Sequence, residues 1–514
     1  MTIFRGLGGG GNATTDSELN ALTAIAAEAS ASALLASEAA NNAAAAVVIP
    51  FGNASGSSLV GYLPAGTGAI ATTVQGKLRE SVSVKDFGAV GDGVADDTVS
   101  TTAAHVYANS VGRSVSYAGI SSIALQANAQ IPMKTSTDFA GCELLVLGGV
   151  AASPSFSTFN RMFLITDDAC PLVTVTGSVT ATNLTKGSLF PTLGLFDGHG
   201  YARLSCAFQI PDRAKTATVN YVQTFKVNRN GRVSQPLSVD ISAFTAAITV
   251  QYRKTSAKRL TISNVATVEG AWNNQVIFNI KRCNVKVSGY SVLFNSPGTT
   301  FNNICALVLI EDASDIFIED FITTGRPVTT TVGSYCLDVE GGADIFVDGM
   351  NALTGWGATG CNFINGMYYT RCVLNRLDVH QSAHNVFADN CDLHEAGMVY
   401  GWGGGVLSVK NSRLYRCSAI ANRDDYGNTF FGDLVVSDCE VNNNFTSTYR
   451  LIDLETNPLG ASTEVYAPQT ITVSNVRRVG RASGSNAEFI PVAVKVRGAT
   501  DVVYAPTHVS VSNI

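Results

Sequence analysis

Charge is what this 514-residue chain has least of: Asp, Glu, Lys and Arg together make up 14% of it. The balance is acidic, with a net charge of −6, and no basic stripe runs along the sequence. Phosphate binding requires clustered Lys and Arg, so the balance argues against a nucleic-acid role. Paired CxxC spacings are missing as well. The eleven cysteines are scattered and odd in number, which indicates neither a disulfide scaffold nor a zinc site. They read instead as small buried apolar residues in repeated phrases (Arg-Cys-Asn-Val at 282–285, Asn-Cys-Asp-Leu at 390–393, Asp-Cys-Glu-Val at 438–441), reduced during assembly in a cytoplasm. Nucleotide fingerprint, phosphate loop, Ser-His-Asp arrangement and metal-ligand set are all lacking, so no cofactor and no metal are expected. The Gly-rich start is unlike a secretory leader, and no apolar run stands out as membrane-spanning.

Glycine is abundant, at 48 residues, and Ser, Thr, Asn and Val are frequent. That is the composition of an extended β protein with many turns. The length exceeds what one compact core fills, so an elongated repeat is expected. The repeat is visible. Leu260-Thr-Ile-Ser-Asn264, Ile316-Phe-Ile-Glu-Asp320, Ile345-Phe-Val-Asp-Gly349, Val386-Phe-Ala-Asp-Asn390, Leu407-Ser-Val-Lys-Asn411, Leu434-Val-Val-Ser-Asp438 and Ile471-Thr-Val-Ser-Asn475 share one layout. Most begin roughly 20 to 40 residues after the one before, as solenoid turns with loops of varying length do. One such strand cannot bury its own apolar face, so the turns must stack. A parallel β-helix satisfies this; a propeller would need four strands per blade and more regular spacing.

Composition also divides the chain. Residues 1–15 are Gly-rich. Residues 16–49 are Ala-rich, with Leu19, Leu22, Ile25, Ala29, Ser32 and Leu35 near heptad spacing, which predicts a helical stem of the trimeric coiled-coil kind. Pro50 is expected to end that helix, and 50–80 reads as a Gly/Ser/Pro-rich connector. The β-helix body is expected over 81–514, interrupted near 188–258 by longer alternating strands that read as a β insertion. Beyond 470 the sequence stays strand-like, leaving little room for a separate C-terminal lectin domain.

Residues 82–98 say most about the fold. Val82, Val84 and Phe87 mark a short strand, Gly88, Gly91 and Gly93 permit a tight turn, and Asp96 or Asp97 is positioned to cap a helix from Thr98. This segment closely resembles the entry of the pectate-lyase-like right-handed parallel β-helix family, where a short helix closes the N-terminal end of the solenoid. It is common in bacteriophage tailspikes. Residues 4–16 resemble the start of short podovirus tailspikes, where that segment anchors the spike to the tail. Arg423-Asp424-Asp425-Tyr426-Gly427, with Gly432–Val436, looks like a phrase that recurs in tailspike β-helices.

Chemistry-bearing residues gather late in the body. Three of the six histidines, His380, His384 and His394, lie within 380–394 beside Asp378, Asp389, Asp392 and Glu395. Trp356 and Trp402 flank them, each between glycines, as exposed sugar-stacking rings would be. Asp338 and Glu340 precede a Gly-Gly pair and are expected to line the same groove one turn earlier. Equivalent positions on successive turns lie about 4.8 Å apart, so carboxylates on neighbouring turns approach glycosidase spacings. Asp378, Asp424 and Asp425 would serve a hydrolase. His380 or Tyr426 as base, with Arg423 neutralising a uronate, would serve a lyase. The residues leave both open.

The resemblance implies a tailspike or tail fibre: a homotrimer in the virion tail, joined to tail or adaptor proteins through its N-terminus. It would bind, and by the same resemblance cleave, a host capsule or O-antigen. It would be made in the host cytoplasm without a signal peptide and would not enter a membrane. A non-enzymatic virion adhesin and a bacterial polysaccharide lyase are the rival classes.

Overall fold

Seven phrases scattered through more than 200 residues of sequence fall into one vertical column. Through parallel pairing, Leu260 sits beside Val285, Val285 beside Ile316, Ile316 beside Ile345, and Ile345 beside Met367. The column continues through Val386, Leu407, Leu434, Ile471 and Val509. Upstream the same strand stack begins at Val82, followed by Val115 and Thr137, which pairs with Ile262, two residues beyond Leu260. The computed structural model describes residues 16–52, 55–148, 159–175, 184–189, 195–211, 218–269, 275–294, 305–323, 333–353, 355–442, 448–456, 464–479, 488–496 and 502–514. The expected anchoring segment, 1–15, lies outside them.

Two further columns complete each turn. One runs from Ile322 through Asn351, Val373, Asp392, Arg413 and Glu440 to Arg477. The other runs from Ile131 through Phe163, Phe278, Val308, Leu337, Thr359, Leu377, Met398, Ile420 and Ile452 to Val492. The body is therefore a parallel β-helix whose inward side chains form one continuous apolar core. Asn and Asp end the phrases because the corner needs a left-handed residue, and their side chains tolerate it by bonding locally. Asn264, Asp320, Asn390, Asn411, Asp438 and Asn475 all have φ between 48° and 55°. The corner side chains also bond from turn to turn: Asn411 donates to Asp389 at 2.8 Å, Asn475 to Asp438 at 2.9 Å, and Asn513 to Asn475 at 2.9 Å. Cysteine follows the corner three times, and Cys372, Cys391 and Cys439 each turn Sγ onto the carbonyl two residues back. All ten cysteines whose side chains are described are buried.

The chain divides into two compact units, Met1–Glu80 and Ser81–Ile514. In the first, helix α1 spans Asp16–Gly52 and so continues past Pro50, where the sequence placed its end. A proline there removes the i→i−4 hydrogen bond and crowds the carbonyl four residues back, and only two residues of helix follow it. Against expectation, Asp16–Ala44 is long and apolar enough, at a mean hydropathy of 1.4, to cross a membrane by length and composition. Its alanines produce that value, and Glu28 and Glu38 interrupt the stretch; carboxylates at that depth are disfavoured. A short helix, α2, follows at Val74–Leu78.

The second unit opens with a strand at Ser81–Ser83, a 3-10 turn at Val84–Phe87, a strand at Asp92–Asp96 and helix α3 at Thr98–Val111. Asp97 stands at the N-cap, but its carboxylate turns back to accept from the amides of Val90 (2.7 Å) and Gly91 (2.9 Å) instead of capping the helix. Asp96 accepts from Thr98 N at 3.0 Å. Helix α3 packs on the first turns through buried Ala104, His105 and Ala108, with His105 Nε2 3.0 Å from the Tyr117 hydroxyl.

Strands Val173–Thr174, Gly200–Pro211, Thr218–Val227 and Thr249–Lys254 form a separate antiparallel sheet outside the solenoid. It has its own core and is fastened to the body by polar contacts. Thr224 Oγ1 donates to Gly342 O at 2.7 Å, Arg203 pairs with Asp312 at 3.0 Å, and Lys226 bridges Asp315 and Asp344.

Candidate functional site

On the strand Tyr335–Asp348, Leu337 and Val339 point into the core, so alternation directs Asp338 and Glu340 outward. Stacking then decides what they meet. Asp338 lies beside Gly360, and Gly360 beside Asp378. Asp338 and Asp378 are therefore two turns apart, about 9.6 Å between backbones, rather than one as the sequence suggested. Glu340 lies between Glu311 on the preceding turn and Asn362 on the next.

Asp378 is the centre of a buried knot. Tyr335 Oη donates to its Oδ2 at 2.7 Å, Arg376 Nε donates to Oδ1 at 2.6 Å, and Arg423 Nη1 lies 3.1 Å from Oδ1. Arg423 also forks onto Asp425 with two bonds of 2.6 Å and covers the Tyr426 ring at 4.9 Å. His380 stacks on Tyr426 at 4.8 Å, with Nε2 3.2 Å from Tyr335 Oη. Because Tyr335 donates to Asp378, His380 supplies the Nε2 proton, leaving Nδ1 bare and without a partner. Burial would raise the Asp378 carboxyl, but contact with His380 and the charges of Arg423 and Arg376 hold it well below the carboxylate range. Burial lowers His380, so the guanidiniums carry most of that charge compensation near neutral pH.

The neighbouring carboxyls are shifted the other way. Burial, followed by the charge of Glu340, pushes Asp338 far up, and its Oδ2 has no partner. Glu340 is raised to about 7, by burial first and by Glu311 among the charges around it, while Asn362 Nδ2 donates to Oε1 at 2.6 Å. Glu311 accepts from Asn279 Nδ2 at 2.6 Å and pairs with Lys281 at 3.2 Å and Arg161 at 3.9 Å. Two carboxyl groups on adjacent turns thus differ in surroundings: Glu311 is ringed by cations and Glu340 is not. Their strands are about 4.8 Å apart, so the two side chains leave the same face of adjacent turns.

The structure gathers Asp338, Glu340, Asp378, His380, Arg423, Asp425 and Tyr426 along one stack, in three groups each two turns beyond the one before. The Asp424 backbone is in the 3-10 turn Asp424–Tyr426, but its side chain lies outside the described residues. Trp356 is half-buried beside the knot, with Arg376 over one face of its ring at 4.6 Å and its indole N–H unpartnered. Two candidates are corrected. Trp402 is no exposed platform: it is 4% exposed and packs on Tyr221 and Phe431, each at 5.6 Å, in the core of the β insertion. His384 is fully buried against Tyr221 and burial pulls it down to about 3, so it neither reaches a ligand nor carries charge at neutral pH. Arg423 spends Nε and Nη2 on Asp425, and its Nη1, 3.1 Å from Asp378 Oδ1, makes no hydrogen bond. Among the described residues no His/Cys/Asp/Glu group is arranged to hold a metal.

Sequence reasoning missed Tyr335, Arg376 and Glu311. Arg376 lies two residues before Asp378 and so on the same side of its strand, a signal that alternation makes available. Glu311 becomes a neighbour of Glu340 only through stacking.

No family model matches this chain, and no curated protein does. Among solved structures it is similar to the tailspike gp61 of Pseudomonas phage phi297, at TM-score 0.44 and 13% identity over 83% of this chain and 82% of that one. It is similar to the gp54 tailspike of Acinetobacter baumannii bacteriophage AP22, determined in complex with A. baumannii capsular saccharide, at TM-score 0.41 and 10% identity over 84% and 77%. It is also similar to the Streptococcus pneumoniae surface protein and adhesin PfbA, at TM-score 0.41 and 9% identity over 84% and 100%. No residue role is carried over from them.

Proposed function

We propose that this chain is a phage tailspike or tail fibre that binds a host surface polysaccharide, capsule or O-antigen, and hydrolyses it within the chain. The tailspike assignment is supported by the entry segment 82–98 and the N-terminal residues 4–16. Hydrolysis is supported by one observation above all: Glu340 is held at about 7 by burial, one turn from the cation-ringed Glu311. A carboxyl that keeps its proton to neutrality can protonate a glycosidic oxygen, and the adjacent carboxylate can attack or stabilise the sugar cation. Asp378, with its oxygens bonded to Tyr335 and Arg376 and its pKa low, is a poor base; it positions the arginines and Tyr335. The Ala-rich α1 suits a three-stranded stem, so a homotrimer attached to the virion tail through its N-terminus completes the proposal.

The test is incubation of the purified protein with host capsule and O-antigen, following chain length and absorbance near 232 nm. Shortening without new absorbance on a uronate-containing polymer, reduced by about 10²-fold or more in Glu340→Gln, is the expected result. Shortening with new absorbance would mean β-elimination and would remove Glu340 as the acid. A second reading is a non-enzymatic adhesin, favoured by the complete burial and multiple bonding of Asp378, which rigidifies the face. Binding with the polymer left intact would establish it.

A further inference from the structure

Away from the carboxyl ladder, a cavity of about 380 Å³ opens where the end of α3 meets the turns before three stacked strands. Its wall carries Lys134, Lys258, Arg259 and Arg282, a concentration of cations that the rest of this acidic chain does not lead one to expect. Arg282 is the buried member, with a side chain 5% exposed. Its guanidinium reaches only carbonyls at bonding distance, Lys258 O at 2.9 Å and, more weakly, Lys134 O at 3.4 Å and Cys283 O at 3.5 Å, so it fixes the two turns that carry the lysines.

The acids nearby do not balance these charges. Asp168 takes Lys134, and Asp167 stands 3.9 Å from Arg282. The carboxyl end of α3 adds roughly half a negative charge. That leaves roughly one and a half positive charges on the wall. Burial pulls Arg282 below its ordinary range despite Asp167. The wall also holds hydroxyls ready to donate. Thr135 Oγ1 is buried with no partner, and Ser136 Oγ already accepts from Thr261 N at 2.9 Å, so its own proton points elsewhere.

We propose that this cavity is a second binding site, for an oxyanion: a carboxylate or phosphate group held by Lys258 and the Thr135 and Ser136 hydroxyls against the Arg282 guanidinium, while Arg259, whose Nε bonds Asn284 Oδ1 at 3.0 Å and whose head lies over the Phe317 ring at 4.3 Å, adds positive charge from the rim. Such a group has two sources, an acidic sugar of a bound glycan or free phosphate, and both present two or more oxygens to the same donors. The site stands on its own residues and does not depend on hydrolysis at Glu340.

Titration calorimetry of the full chain with inorganic phosphate, with glucuronate and with glucose tests it. Saturable binding of phosphate or glucuronate near one per chain, weakened by added salt, is expected, with none for glucose. The tighter anion identifies the source. Lys258 is exposed, so Lys258→Glu keeps the fold and should weaken binding about tenfold or more. Thr135→Val should weaken it without altering charge. Absence of saturable anion binding at millimolar concentration, or binding indifferent to Lys258→Glu, would overturn the proposal.

Discussion

The Tyr335 ring occupies the space a side chain at residue 360 would fill: a Cβ on Gly360 would come within 2.5 Å of Tyr335 Cε2. Gly360 stands between Asp338 and Asp378 in the stack, so this missing side chain is what lets the Tyr335 hydroxyl reach Asp378. Gly360→Ala should therefore displace the ring and destabilise the fold by about 1–3 kcal/mol, an overpacking effect. Tyr335→Phe keeps the ring and removes only the bond to a charged acceptor, about 1.5–3 kcal/mol. Because both lose the same bond, the double variant should fall short of the sum. Additive losses in urea titrations would show that the two act separately.

The corner ladder makes a second prediction. Asn411 has φ +48° and donates to Asp389 on the previous turn. Asn411→Ala keeps a Cβ in the left-handed region but loses the side-chain bonding that lets Asn tolerate it, and should cost about 1–2 kcal/mol. Asn411→Gly loses the exposed side-chain bond but adopts the angle freely, so its loss should be smaller. An alanine variant as stable as the glycine one would mean that backbone conformation is not what selects Asn here.

That ladder also shows what the sequence makes legible. A phrase such as Leu407–Asn411 carries both its inward residues and its corner, so it can be recognised alone. One rung in the same column, Met367–Arg371, escapes notice because Arg stands where Asn, Asp or Gly marks the others. The site is less legible because neighbours in space are a full turn apart in sequence. Glu311 lies in an ordinary strand phrase and acquires meaning only beside Glu340. The glycines around Trp402 suggested an exposed loop; they are there for close packing, since a Cβ on Gly403 would meet Ala383 O at 2.0 Å.

The two tryptophans should separate accordingly. Trp402→Ala empties the insertion core and should cost about 3–5 kcal/mol. Trp356→Ala removes a half-buried ring and its contact with Arg376, about 0.5–2 kcal/mol. Melting curves distinguish them: a Trp402 variant as stable as wild type would place that ring outside the core.

The acid limb and the alkaline limb of stability have different owners. Glu340 is raised from an ordinary 4.5 to about 7, so the folded state holds its proton more tightly than the unfolded chain does. Its contribution is fully present below pH 4.5 and is lost as pH rises through 7, up to roughly 3 kcal/mol. Asp378 behaves oppositely: its pKa is depressed, so it stabilises above the usual carboxylate range and that support is lost as pH falls. Glu340→Gln removes the first effect only. Its urea midpoint should change less between pH 5 and pH 8 than that of the wild type, with the gap in favour of the variant widening toward pH 8. The acid-side loss should persist in the variant, since Asp378 is untouched. If wild type and Glu340→Gln decline in parallel between pH 5 and 8, Glu340 ionises as an ordinary exposed glutamate. The proton it was to deliver to a glycosidic oxygen would then be absent at neutral pH.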